Sequence, residues 1–125
     1  MGMIDQLKAR EDQKRPIRIG MIGGGKFGTM FMAQAQRIPG VHGWGGVAID
    51  VEQARSNFMY AGRPKEKLNA PNLDAALKTE ATNISANVHD LINHPAIEII
   101  IECTGNPIVA IEHALLSFAA GKHVI

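Results

Sequence analysis

The sequence predicts an α/β fold: a doubly wound parallel sheet with helices on both faces and strand order 3-2-1-4-5. Three observations carry this. Short apolar runs alternate with stretches of helical periodicity, the pattern of successive β-α-β units. The first run, Ile17 to Ile22, breaks into the glycine turn GGGKFG and continues as an amphipathic helix without a gap. A later run, Ile97 to Cys103 (IEIIIEC), reads as a buried strand and leads through TGNP into a second strong helix. Right-handed crossovers between parallel strands then give the strand order.

Met1 to Lys14 reads as a short, mostly exposed helix in which Ile4 and Leu7 are the apolar pair, ended by Arg15 and Pro16 because proline cannot continue a helix. Residues 1–16 are therefore an N-terminal helical extension, and 17–125 a single Rossmann-type domain. After the first strand, Phe27, Met30, Phe31, Ala35 and Ile38 fall on one face of a helix and are expected in the core. Pro39 and Gly40 stop that helix. In the next segment glycine at 43, 45 and 46 weakens strand propensity, so the second strand is expected over Gly46 to Asp50, with Trp44 as packing. Val51 to Ala61 is the following helix, with Ala54, Phe58 and Met59 inward. Gly62 to Asn72 is a loop, Leu73 to Lys78 a short helix, Ala81 to Ser85 a short strand. Val88, Leu91 and Ile92 mark a further helix stopped at His94 and Pro95. Ile108, Ile111, Leu115 and Phe118 define the inward face of the last helix, Gly121 caps it, and Lys122 to Ile125 starts a fifth strand.

With 125 residues the chain is long enough for one domain with a core and too short for a complete two-domain dehydrogenase. A net charge of +1 and a pI of about 8.0 give no strong field, and no basic-aromatic element suggests nucleic acid. A membrane partner is not expected, since no apolar run approaches the ~18 residues of a span. The N-terminus lacks the apolar centre of a signal peptide. The single cysteine, Cys103, allows no internal disulfide and fits a cytoplasmic location. It reads as a small buried hydrophobe. The five histidines show no metal-ligand spacing and are read as surface or structural, so no metal is expected.

Gly23, Gly25 and Gly28 fit G-x-G-x-x-G between a strand and a helix, the dinucleotide-binding fingerprint. Gly23 allows the tight turn, Gly25 lets a pyrophosphate approach the backbone, and Gly28 lets the helix lie close on the strand. The helix start offers unpaired N–H groups and a positive dipole end. Lys26 either attracts phosphate or is an ordinary exposed lysine. Asp50 lies 22 residues beyond Gly28, where an acidic residue accepts hydrogen bonds from the adenosine ribose; the alternative is a plain helix N-cap. Asp50 argues for NAD, whereas Arg55 and Arg63 leave NADP open through contact with a 2′-phosphate. In TGNP, Gly105 can bring backbone near a cofactor, Thr104 can bond a ribose or phosphate, and Pro107 suits a first helical turn. Residues 20–26 also match G-x-x-x-x-G-K, but Phe27 replaces the Ser or Thr of a P-loop and Gly20 lies inside the strand. A methyltransferase shares the glycine loop and the acidic residue, but the glycine spacing and the TGNP loop favour a nicotinamide cofactor.

The segments RPIRIGMIGGGKFGTMF, VAIDVEQAR, NLDAAL, HDLINHPAIEIIIECTGNP and AIEHALLSFAAGKHVI together resemble the N-terminal domain of homoserine-dehydrogenase-like oxidoreductases that carry a C-terminal SAF domain. That group includes reductoisomerase-like enzymes of isoprenoid biosynthesis, which convert 1-deoxy-D-xylulose 5-phosphate to 2-C-methyl-D-erythritol 4-phosphate. Where that family shows a continuous apolar second strand, GWGG stands here. The resemblance implies an NAD(P)-binding domain, with NADP(H) favoured, Gly23, Gly25, Lys26, Phe27 and Gly28 at the pyrophosphate, and Thr104, Gly105, Asn106 and Pro107 near the nicotinamide. It implies too that the substrate domain, with the catalytic residues and an oligomer contact, lies outside this chain. The full protein is then expected to act on a small carbonyl or alcohol substrate, by reductoisomerase-like or homoserine-type chemistry. A nucleotide-sensing module without catalysis is the non-enzyme alternative.

Overall fold

The computed structural model describes residues 2–125, the side chain of Trp44 excepted. The elements are α1 (Met3–Asp12), β1 (Ile17–Ile22), α2 (Lys26–Ala35), β2 (Val41–Val47), α3 (Val51–Tyr60), a 3-10 turn (Lys65–Lys67), α4 (Leu73–Thr79), β3 (Asn83–Ser85), α5 (Val88–Asn93), β4 (Ile99–Glu102), α6 (Pro107–Ala119) and β5 (His123–Val124). All strand pairs are parallel, in the order β3-β2-β1-β4-β5. This is the expected doubly wound, Rossmann-type sheet.

Side chains on a strand alternate between faces, and the core divides accordingly. On one face Met21 and Ile84 pack with Met32 of α2, with Ala54 and Phe58 of α3, and with Leu68. On the other, Ile22, Val47 and Ile100 pack with Leu73 and Ala76 of α4 and with Leu91 and Ile92 of α5. No helix among the described residues is long and apolar enough to cross a membrane. Helix α1 lies at the opposite end of the sheet from the glycine turn. Arg10 binds both carboxylate oxygens of Glu98 at 2.9 and 3.0 Å, and α1 buries no residue.

Several sequence expectations are corrected. The second strand runs over Val41–Val47, through the glycines rather than after them, and stops before Asp50. Its register with β1 shifts between Ile19↔Gly43 and Gly20↔Gly45, a bulge at residue 44. The glycines are needed here because Gly20 and Gly45 lie side by side under Leu91. A β-carbon on Gly45 would sit 2.8 Å from Leu73 Cδ2 and closer still to Leu91 Cδ1. The reading of Trp44 as packing concerns a side chain outside the described residues.

The second correction concerns α2, where Phe27, Met30 and Ile38 are exposed and the buried stripe is Gly28, Met32 and Ala35. The helix touches the sheet through Gly28, whose absent side chain lets it approach the Gly23 carbonyl and Met21 Sδ. The third concerns α6, where Ile108, Ile111, Leu115 and Phe118 are each more than 60% exposed, and His113 and Ser117 face inward. Ser117 Oγ donates to the His113 carbonyl at 2.7 Å, and His113 Nδ1 meets Glu102 Oε2. Met59, also expected inward, is exposed.

At the far end of the sheet, burial and the adjacent Arg18 and Arg63 guanidiniums push His42 down to about 4. The unfolded chain, with an ordinary value of about 6.5, then binds the proton more readily between those limits. Stability contributed by neutral His42 is complete above that window and is lost as pH falls through it. Denaturant unfolding at pH 5 should therefore show a loss on the order of 1–2 kcal/mol relative to pH 7, and His42→Gln should flatten that slope. Gly45→Val should cost about 1–3 kcal/mol through overpacking against Leu91 and Leu73; an unchanged denaturation midpoint would refute the packing role given to Gly45.

Candidate functional site

A cleft of about 760 Å³ opens at the carboxyl ends of β1, β2 and β4. This is where an open α/β sheet binds ligands, at the point where strand order reverses, and the volume lies within the range of small-molecule sites. Gly23 and Gly25 form its floor, Asp50 and Gln53 one wall, and Thr104, Asn106 and His113 the other.

The floor is tightly determined. Gly23 has φ +104°, and a β-carbon there would meet the Cys103 carbonyl oxygen at 2.8 Å. Its N–H donates to the Val47 carbonyl at 2.7 Å, while the Cys103 N–H donates to the Ile22 carbonyl at 2.8 Å. Gly24 packs on α3, where a β-carbon would lie 2.6 Å from Ala54 Cβ, and its carbonyl accepts from Asn57 Nδ2 at 2.8 Å. Gly25 differs: a β-carbon there meets nothing within 4 Å. The backbone is thus pinned on both sides of Gly25 and open at Gly25 itself.

The N-termini around the cleft are equally unequal. Asp50 caps α3 by accepting from the Gln53 N–H at 3.0 Å, and Asn106 caps α6 by accepting from the N–H groups of Ile108 and Val109. In contrast, α2 has Gly25 at its N-cap and no side-chain cap. Its first N–H groups are left for solvent or for an anion in the cleft.

Of the residues singled out in the sequence, Gly23, Gly25, Asp50, Thr104 and Asn106 line the cleft together. Gly28 lies behind the turn as a packing glycine. Lys26 and Phe27 are exposed on the first turn of α2, while Gly105 (φ +76°) and Pro107 shape the start of α6; none of the four lines the cleft. Arg55 is turned aside, pairing with Glu52 and reaching the Leu68 carbonyl at 3.5 Å. Arg63 is further off, donating to the Glu80 carbonyl at 3.1 Å and to Thr82 Oγ1 at 3.3 Å.

Sequence reasoning missed Gly24, Asn57 and the Glu102–His113 pair. Gly24 occupies a variable position of the glycine motif, and Asn57 carries no periodic signal. Glu102 accepts from the Thr104 N–H at 2.8 Å, from Thr104 Oγ1 at 2.6 Å and from His113. Burial opposes ionisation of Glu102, but these hydrogen bonds outweigh it and hold the carboxyl below its usual range. The thiol of Cys103 lies 3.1 Å from the Ile22 carbonyl and 3.3 Å from that of Gly23. Burial, with the Glu102 charge beside it, pushes this thiol up to about 11.

No protein-family model matches the chain, and no curated protein does. Among solved structures, a protein from Klebsiella pneumoniae classed as an oxidoreductase is 21% identical with a TM-score of 0.60, over 86% of this chain and 25% of its own. An NAD-binding oxidoreductase from the same organism is 20% identical with a TM-score of 0.55, over 87% of this chain and 26% of its own. The chain thus spans about a quarter of the length of either, and at this identity the likeness is one of fold.

Since the thiolate is the reactive form, Cys103 should resist alkylation. Iodoacetamide at pH 8 should modify the native chain at least about tenfold more slowly than the denatured chain. Equal rates in mass spectrometry would contradict the buried, hydrogen-bonded thiol.

Proposed function

We propose that this chain is the dinucleotide-binding domain of an NAD(P)-dependent oxidoreductase. The observation that carries this reading is the uncapped start of α2, opening on a cleft in which Gly25 leaves free space and Asp50 and Thr104 stand on opposite sides. The residues fit the cofactor. The N–H groups of α2 would hold the pyrophosphate, Asp50 the adenosine ribose hydroxyls, and the β4–α6 turn the nicotinamide half. One structural neighbour is an NAD-binding oxidoreductase, which agrees with this reading. A bound nicotinamide supplies hydride transfer; this chain's own residues bind and orient it, and keep the glycine turn rigid.

The arrangement favours NAD(H) over NADP(H), opposite to what the family resemblance implies. An Asp50 carboxylate at the adenosine ribose would repel a 2′-phosphate, and Arg55 is engaged with Glu52 and the Leu68 carbonyl. For the longer protein we propose hydride transfer to or from a small carbonyl or alcohol substrate, with 1-deoxy-D-xylulose 5-phosphate as the first candidate and homoserine as the second.

Fluorescence titration of the chain should show saturable NADH binding, at least about tenfold tighter than NADPH, the scale of one like-charge contact. Asp50→Ser should narrow that gap. Gly25→Val should weaken NADH binding by about tenfold or more while shifting stability by no more than about 1 kcal/mol. Absence of saturable binding to either cofactor would defeat the proposal, and tighter NADPH binding would defeat the NAD preference.

A further inference from the structure

The imidazole of His113 is the one cleft-lining ring that the glycine-motif reading leaves without a role. It projects from the second turn of α6, is only 9% exposed, and reaches the cleft wall beside Thr104, Asn106 and Val109. Its Nδ1 meets Glu102 Oε2, and the other carboxylate oxygen is already occupied by the N–H and hydroxyl of Thr104. An ionised carboxylate can only accept, so Nδ1 must carry the proton. In the neutral ring this leaves Nε2 as a lone-pair acceptor. No partner for Nε2 exists among the described residues. Nor is it one of the sealed, unpartnered atoms, which among the described residues are His42 Nε2 and Arg63 Nε. Nε2 thus keeps accessible surface, on a residue that lines the cleft.

We propose that His113 is a ligand-reading residue: its Nε2, locked as an acceptor by Glu102, takes a hydrogen bond from a hydroxyl or amino donor of the nucleotide bound in the cleft. Glu102 is a positioning residue that acts through the ring. A lone pair facing the cleft repels phosphate oxygens and rewards a donor. It therefore complements the α2 N-terminus, which does the reverse on the cleft floor. The donor belongs to either the adenylate or the nicotinamide half of the ligand. This inference rests on the dinucleotide reading above, and its test separates the two.

Long-range ¹H–¹⁵N correlation spectra of the ¹⁵N-labelled chain at pH 8 report the tautomer of each histidine directly, with His113 assigned from the spectrum of His113→Gln. Nδ1 should be protonated and Nε2 unprotonated in the free chain. On addition of NADH the Nε2 resonance should move more than that of any other histidine. AMP and nicotinamide mononucleotide, titrated separately, identify the half that supplies the donor. Glu102→Gln should shift the ring toward the Nε2–H tautomer, which a purely structural carboxylate would not do. His113→Phe should lose about tenfold in NADH affinity, the scale of one buried hydrogen bond, and His113→Gln, which keeps an acceptor, should recover most of it. An Nε2–H tautomer in the free chain overturns the inference. So does a ring that NADH protonates, or an Nε2 that stays still while NADH fluorescence saturates; in the last case the dinucleotide reading survives. If NADH, AMP and nicotinamide mononucleotide all fail to bind, both readings fall.

Discussion

Three strand ends meet at Gly23 with no room for a side chain, and the site depends on that meeting. The Gly23 N–H is spent on β2 through Val47, and a β-carbon on Gly23 would run into the Cys103 carbonyl at the end of β4. The positive φ turns the chain out of the sheet at a point where any other residue would be both strained and blocked. Because the same few atoms join the floor to the β4 wall, the spacing across the cleft is set by backbone hydrogen bonds rather than by side-chain packing. The thiol of Cys103, close to two carbonyls of this turn, ties the wall to it once more.

Around this junction the chain spends short polar side chains on its own helix starts. Asp50, Asn72, Asn87 and Asn106 each accept from the first turn of the helix they precede. These caps neutralise orphan N–H groups that would otherwise compete for an anion. Among the helices that start at the cleft, α2 differs, with glycine at its cap. At the cleft this sets one open helix start beside the capped starts of α3 and α6.

Much of this was legible in the sequence. The alternation of elements and the strand order followed from apolar runs and connection rules. The glycine turn followed from its flanks, because its residue types are dictated by backbone geometry rather than by distant contacts. The failures have a common cause. In α2 and α6, apolar periodicity pointed to Phe27, Met30, Ile108 and Leu115, yet the buried stripes run through Gly28, His113 and Ser117. Periodicity locates an apolar face but does not say what lies against it. A glycine that permits close approach, or a histidine whose partner lies 11 residues earlier in the chain, leaves no periodic trace. Likewise, Gly45 lowers strand propensity locally and is required by leucines more than 25 residues away.

The inverted polarity of α6 has a dynamic consequence. A helix that turns its aliphatic side chains outward and meets the sheet through an imidazole and small residues gains little from burial when it docks. Its side-chain hydrogen bond to the sheet is that of His113 to Glu102. In this chain α6 should therefore behave as a separate opening unit, its amides exchanging with solvent long before those of β1 or β4. The wall bearing Thr104, Asn106 and His113 would then be the yielding side of the cleft, and the glycine floor the rigid one.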